Sequence, residues 1–389
     1  MRNKTGKSSW RRVFFLFLGH MLGDGYASFY APLLPILIDR LDLSLALAGL
    51  LGTVRTITNS LLQPTLGHLV DRIHRPLLVA FGPLLTVCAM SLIGRADSFP
   101  RLLVIMIVSG IGVAFFHPIA ASLVTDGTER KRGLLMAFFS AGGTFGGAAA
   151  PLLIVPFVGA LGITSTPWLL IPGLSILALF TFYLKRNLPQ KVSPSRRSLD
   201  LRSIPKRFYL LWTVIALRSV VAVAFSSFMA VLVTERGASA FIGGAAISVF
   251  LLTGAIGGFF AGNLSDRFGR RPVMLGTIAL STPFFLLLLY GPPSLLLVTA
   301  ALAGLMIFSS TPVGVVAAHE ILPGKIGLVS GLVMGLAWGV GGAMLTPIGL
   351  SSDLFGLLPV MTAVSILPLL IGLLLLFYRD EAHTEVAAN

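Results

Sequence analysis

His20, Asp24 and Ser28 stand four residues apart in the stretch FLGHMLGDGYASFYAPLLPIL (17–37), and on a helix that spacing sets them on one face. Arg55, Asn59 and Gln63 repeat the spacing in the next apolar stretch. An ionised carboxylate among hydrocarbon costs at least about 2.5–3.5 kcal/mol on the mildest insertion scale. A carboxylate kept there can trade a proton against the charge of a cation, so Asp24 is the expected proton-coupling residue. His20, one turn away, is expected either to relay that proton or to support the carboxylate by hydrogen bonding. Arg55 and Arg218 are expected to receive the anionic group of a substrate, because guanidinium holds phosphonate or carboxylate through two parallel hydrogen bonds. Asn59, Gln63 and His117 complete the expected substrate-binding set. Each charge also has a structural alternative. Asp24 and Arg55 can form an ion pair that only fixes packing, and Arg218 can be tied to backbone carbonyls or to Asp24.

Such residues can act only if a bilayer-spanning scaffold holds them. The chain has 389 residues, 55% hydrophobic and 11% charged, with a mean hydropathy of +0.91. That is more apolar surface than a soluble fold of this length can hide, which implies a polytopic membrane protein. Twelve apolar runs, the first at 13–38 and the last at 355–378, reach the roughly 20 residues needed to cross a core of about 30 Å. The expected fold class is therefore all-α, with twelve transmembrane helices. Counting 1.5 Å per residue puts Asp24 about 16 Å from the inner end of its span, Arg55 about 14 Å from the outer end of the next and Arg218 about 15 Å into the seventh. All three fall near the midplane.

A net charge of +14 would suit nucleic acid, but the basic residues lie in short clusters between apolar runs, without an aromatic-interleaved face. No nucleic-acid partner is expected. If both termini are cytoplasmic, 23 Lys and Arg fall in inside segments and 4 in outside ones, which orients the chain in a cytoplasmic (inner) membrane. The stretch RRVFFLFLGH is followed by no small-residue cleavage pattern, so a retained first helix is expected. A single cysteine, Cys88, precludes an intrachain disulfide.

The longest polar segment is basic and rich in Pro and Ser, and reads as a cytoplasmic linker at 185–207. It divides an N-terminal six-helix bundle (1–184) from a C-terminal one (208–389). An internal repeat supports the division: GHLVDRIHRP at 67–76 recurs as GNLSDRFGRRP at 262–272, and FGGAAAP at 145–151 is echoed by VGGAMLTP at 340–347. Two parallel repeats are the arrangement of two-domain rocking transporters.

The loop motifs resemble the G-x-L-x-D-R-x-G-R signature of the major facilitator superfamily. The resemblance implies two six-helix halves around a central cavity. It also implies a cytoplasmic gate made by Asp71, Arg72 and Arg75 in the first copy and Asp266, Arg267 and Arg270 in the second. His74 replaces the usual Gly in the first copy. HMLGDGYASFYAPLLPIL, SLLQPTLGHLVD, FFHP (115–118) and GGTFGGAAAP (142–151) are similar to the fosmidomycin-resistance branch of drug exporters. Two positions depart from that branch: Ile119, where an acidic residue is expected, and Arg55, where an apolar one is. GGTFGGAAAP also resembles the Gly/Pro motif of antiporters. Gly143, Gly147 and Pro151 are accordingly either a hinge or a packing seam.

HEILP at 319–323 lacks the second His that a zinc-protease helix needs, and the chain carries no nucleophile elbow or phosphate loop. Neither an enzyme nor an ATP-driven pump is expected, and no cofactor or metal. The expected function is secondary active transport by alternating access, as proton-coupled antiport that exports a small anionic or amphipathic compound. The alternatives are import of a small organic anion, or a non-transporting receptor or scaffold that needs neither Asp24 nor the arginines. The expected partners are a small-molecule substrate, protons and the lipid bilayer, with the protein monomeric. His117 and the repeat-related His319 are placed toward the cytoplasm, and Glu320 at a solvated helix end. Phe115, Phe116, Phe138, Phe139, Phe225 and Phe228 either line an apolar pocket or face lipid and core.

Overall fold

A computed structural model describes residues 4–73, 76–125, 132–187, 204–323 and 326–378. In hydrocarbon no water can bond to the backbone, so an apolar run must satisfy its own N–H and C=O groups as a helix. The helices are α1 (Lys4–Ala27), α2 (Tyr30–Leu41), α3 (Leu45–Ile73), α4 (Phe81–Ser91), α5 (Phe99–Thr125), α6 (Arg132–Leu161), α7 (Leu170–Asn187), α8 (Lys206–Glu235), α9 (Ala240–Phe268), α10 (Arg270–Tyr290) and α11 (Leu296–Ile321). Four more complete the chain: α12 (Ile326–Ser330), α13 (Ala337–Ala343), α14 (Leu345–Phe355) and α15 (Leu357–Leu375). Among the described residues they make 12 segments long and apolar enough to cross a membrane.

Two of the expected runs are interrupted, and a proline explains each interruption. The first span breaks at Ser28 and Phe29 because Pro32 has no N–H for the Ser28 carbonyl. The Ser28 hydroxyl turns back to the Asp24 carbonyl at 2.7 Å, which occupies it with backbone and not with a substrate. In the eleventh span Pro347 likewise leaves the Ala343 carbonyl without a donor, and α13 ends there. A π-helical turn at Gly331–Leu336 precedes α13, with the Trp212 indole N–H donating to the Leu332 carbonyl at 2.9 Å.

The chain forms two compact units, Met1–Leu43 with Val54–Arg196 and Ser44–Thr53 with Arg197–Asn389. The start of α3 thus goes with the second unit. There Asp353 of α14 caps it, accepting from the Leu45 and Ala46 N–H groups at 2.7 and 2.9 Å. The Thr53 hydroxyl donates to the Gly342 carbonyl at 2.7 Å.

In the first unit α1 lies against α6 along a glycine seam. A Cβ at Gly142 would stand 2.5 Å from the Phe17 carbonyl oxygen, and one at Gly146 would stand 2.2 Å from that of Met21. Only glycine lets the two backbones approach this closely. The second unit repeats the device, since a Cβ at Gly304 would stand 2.1 Å from the Phe250 carbonyl oxygen.

Candidate functional site

The glycine seam brings α6 against the polar face of α1. His20 is buried, and its Nδ1 lies 2.8 Å from the Phe139 carbonyl oxygen. A carbonyl can only accept, so Nδ1 carries the hydrogen and donates it. Nε2 then points at the carboxylate, 3.1 Å from Asp24 Oδ2. Two bare lone pairs would repel at that distance. One proton, either on Nε2 as an imidazolium or on Asp24 as a carboxylic acid, would make this contact a hydrogen bond.

His117 of α5 approaches the other carboxylate oxygen, with Nε2 3.5 Å from Oδ1. Its Nε2 is buried and has no hydrogen-bond partner. The sequence places His117 nearer the cytoplasm; in the structure it stands at the level of Asp24, because α1 and α5 pack side by side, which spacing along one helix does not reveal. His20, Asp24 and His117 each offer one donor atom within 4.8 Å of the others, close enough for one divalent cation to touch all three. The sequence reading brought His20 and Asp24 together but not His117.

Gly143 is the wall of this centre. A Cβ there would stand 2.4 Å from His20 Nε2 and 2.6 Å from Asp24 Oδ2. Gly147 is buried nearby in α6, and Pro151 lies inside that helix without interrupting it. Phe139 stacks on the His20 ring, with centroids 4.4 Å apart and planes at 24°. Sequence reasoning missed the Phe139 carbonyl and the contact made by Gly143. A clue to the second was present in the run of glycines.

Arg55 acts electrostatically on both Asp24 and Tyr30. Among the described residues it forms no ion pair with Asp24, whose ion-pair partners are the two imidazoles. Arg55 Nε is buried without a hydrogen-bond partner. Gln63 donates to Asn59 Oδ1 at 2.8 Å, so these two side chains satisfy each other.

In the second unit Arg218 is 1% exposed. None of its three guanidinium nitrogens has a hydrogen-bond partner among the described residues. Its charge lies 5.4 Å from the centre of the Trp338 ring, which in turn stacks on Phe308 at 6.3 Å and 14°. It is not tied to backbone carbonyls.

Arg270 donates to Ser265 Oγ at 2.7 Å, to Asp266 and to Glu320 Oε1 at 2.9 Å. Glu320 is exposed in the last turn of α11, at the solvated helix end the sequence suggests, and the guanidinium fork on α10 also reaches it from fifty residues away in sequence. His319 bonds Ser330 Oγ at 3.2 Å. Arg267, exposed at the end of α9, joins none of these contacts. The side chains of Asp71 and Arg72, and all of Arg75, lie outside the described residues. Phe116, Phe139, Phe225 and Phe228 are core, while Phe115 and Phe138 are partly exposed.

Residues 16–247 and 211–389 match the family model of the Major Facilitator Superfamily. The chain is 32% identical over 400 aligned residues to the uncharacterized MFS-type transporter YfnC of Bacillus subtilis (strain 168), covering 98% of this chain and 96% of that one. It is 27% identical over 378 residues to the fosmidomycin resistance protein of Escherichia coli (strain K12), covering 95% and 92%. In fold it is similar to the crystal structure of a bacterial homolog to the human lysosomal transporter Spinster, inward-facing and occupied, with a TM-score of 0.79 at 17% identity and coverage of 94% and 96%. A mutant of the nucleoside transporter NupG gives a TM-score of 0.76 at 13% identity, with coverage of 94% and 98%. With both halves matched and the centre carried on their helices, this chain of twelve membrane helices belongs to the Major Facilitator Superfamily.

Proposed function

We propose that the chain is a proton-coupled antiporter of the cytoplasmic (inner) membrane, with both termini cytoplasmic, and that it exports a small anionic or amphipathic compound by alternating access. The observation that carries this reading is the 3.1 Å approach of His20 Nε2 to Asp24 Oδ2, with Nδ1 engaged by the Phe139 carbonyl, a geometry suited to holding and releasing one proton. A substrate that offers its own hydrogen-bond donor to Asp24 takes the place of that proton, so the two bind in turn. Its oxyanion goes to Arg55 or Arg218, each of which has buried nitrogen without a hydrogen-bond partner. Asn59 and Gln63 follow Arg55 by one and two turns on its face of α3, and His117 stands against Asp24. Asp71, Arg72, Arg75, Asp266, Arg267 and Arg270 act as the cytoplasmic gate, and Gly143, Gly147 and Pro151 let α6 adjust as the halves rock.

The resistance named for the Escherichia coli relative supports export and supplies a first test compound, fosmidomycin. The test is uptake of labelled fosmidomycin into vesicles holding the purified protein, under an imposed pH gradient. Antiport predicts accumulation on the acidic side. Failure of the gradient to move fosmidomycin or a panel of small amphipathic acids would refute coupling.

One observation favours a second reading, import of a small organic anion. Arg55 acts electrostatically on Asp24, so protonating the carboxylate frees the guanidinium for an anion, and proton and anion would then travel together. Accumulation on the alkaline side would select it.

A further inference from the structure

Asp24 does not stand alone on its face of α1. Trp10 and Phe17 precede it by fourteen and seven residues, four and two helical turns, so all three project in nearly the same direction. Phe14 lies on the same face. Trp10 is 38% and Phe14 46% exposed, while Val13, on nearly the bearing of Asp24, is fully buried, so Asp24 stands at the edge of the open side. The side chain of Asp24 is itself 29% exposed. A carboxylate is not turned to lipid at this depth, which argues that the side of α1 carrying Asp24 and Phe17 lines a polar space. The aromatic rings on that side therefore face it too.

The neighbouring helix α6 extends the row. Phe138 stacks on Phe17 with centroids 4.9 Å apart and planes at 27°, and meets Trp10 edge-on at 5.8 Å. Phe145, 51% exposed, lies 6.4 Å from Phe17 on the side nearer Asp24. Phe17 is seven residues from Asp24, a distance of about 10 Å along the helix. That is the reach of two fused rings and one polar group.

We propose that this row is the substrate's apolar subsite, and that the transported compound is a flat aromatic acid with a hydrogen-bond donor. Its ring lies against Phe17, Phe138 and Phe145, its donor meets Asp24, and its oxyanion faces Arg55, whose Nε lacks a partner. The inference rests on the reading that Asp24 is the coupling site. An aliphatic body of equal size would fill the row but gain no ring-on-ring interaction.

The test uses the purified full chain and two probes, a hydroxynaphthoate and its ring-hydrogenated decalin analogue, which share size, charge and donor. Calorimetric titration should show the flat probe binding about two- to tenfold tighter. Phe17→Leu and Phe138→Leu should each bring that ratio toward one while leaving the decalin probe's affinity in place, and Phe138→Tyr should keep it. Equal affinities in the parent, a ratio unmoved in both Leu variants, or no binding of either probe would overturn the proposal. Asp24→Asn separates the two levels. If both probes bind equally and both weaken in that variant, the aromatic row is wrong and the coupling site stands; if binding ignores Asp24, the site itself is wrong.

Discussion

Replacing Asp24 with Asn tests the bridging proton directly. In the parent the His20–Asp24 contact measures 3.1 Å, close enough for one proton to lie between the two groups. Asparagine keeps the shape and turns its amide so that an N–H donates to Nε2, while the carbonyl oxygen faces His117. His20 Nδ1 still donates to Phe139, so every bond of the loaded state survives with a hydrogen that cannot leave. The variant should fold and insert with stability within the roughly 0.5–1.5 kcal/mol of one hydrogen bond. Coupling is lost altogether. With one proton exchanged per cycle, a gradient of one pH unit carries about 1.4 kcal/mol and balances a tenfold concentration ratio. Parent vesicles should approach about tenfold accumulation of labelled compound at that gradient. Vesicles with the Asn variant should stop at equal concentrations on both sides, while compound still exchanges across the membrane. Tenfold accumulation by the variant would refute the assignment of Asp24, whereas slower exchange that still ends at equal concentrations is what a substrate donor meeting Asp24 predicts.

Gly143→Ala would set a methyl group 2.4 Å from His20 Nε2, so the His20–Asp24 contact must open or α6 must withdraw; a loss of about 1–3 kcal/mol in thermal or denaturant stability is expected, with gradient-driven transport impaired. Arg218→Gln removes a buried, unpartnered charge, so the variant should melt no lower than the parent while an anionic compound binds about 1.5–3 kcal/mol more weakly and a neutral analogue changes less; Arg55→Gln should show the same selectivity in a binding titration. Asp266→Asn should slow turnover with substrate affinity nearly unchanged, because Arg270 keeps Glu320 and Ser265; a large affinity loss with normal turnover would contradict a gate at that position.

Much of this was open to reading in the sequence because hydrocarbon leaves so few solutions. Twelve apolar runs had to be helices, and the breaks at Ser28 and Ala343 follow from the prolines four residues later. The His20–Asp24 contact was legible because His20 lies one turn away on the same helix. His117 was not, since its approach depends on α5 packing beside α1, and neither was the Phe139 carbonyl, which has no residue-type signal at all. Gly143 illustrates the limit well. Its spacing with Gly147 suggested a hinge or seam, yet the closest seam contacts are made by Gly142 and Gly146, and Gly143 is where the carboxylate passes. Glu320 was legible as an exposed helix end, but its ion pair with Arg270 was not, because that pair joins separate helices and nothing local announces it.

The charge count at the centre sets what kind of compound antiport can carry. On the proposed antiport, the first unit's site holds one carboxylate, one guanidinium in Arg55 and one exchangeable proton. Loaded with the proton it is net positive, and without it neutral. An oxyanion alone is thus drawn to the protonated site, and the two would cross together. A donor alone displaces the proton but leaves Arg55 to Asp24. Only a compound that brings both a donor and an oxyanion can take the proton's place on Asp24 and still satisfy the arginine Nε, which has no hydrogen-bond partner. The buried Arg218, with three unpartnered nitrogens, adds the same demand in the second unit. Export against a proton therefore selects amphipathic acids that carry their own donor, and a simple carboxylate moving with the proton would mark the same residues as the machinery of an importer.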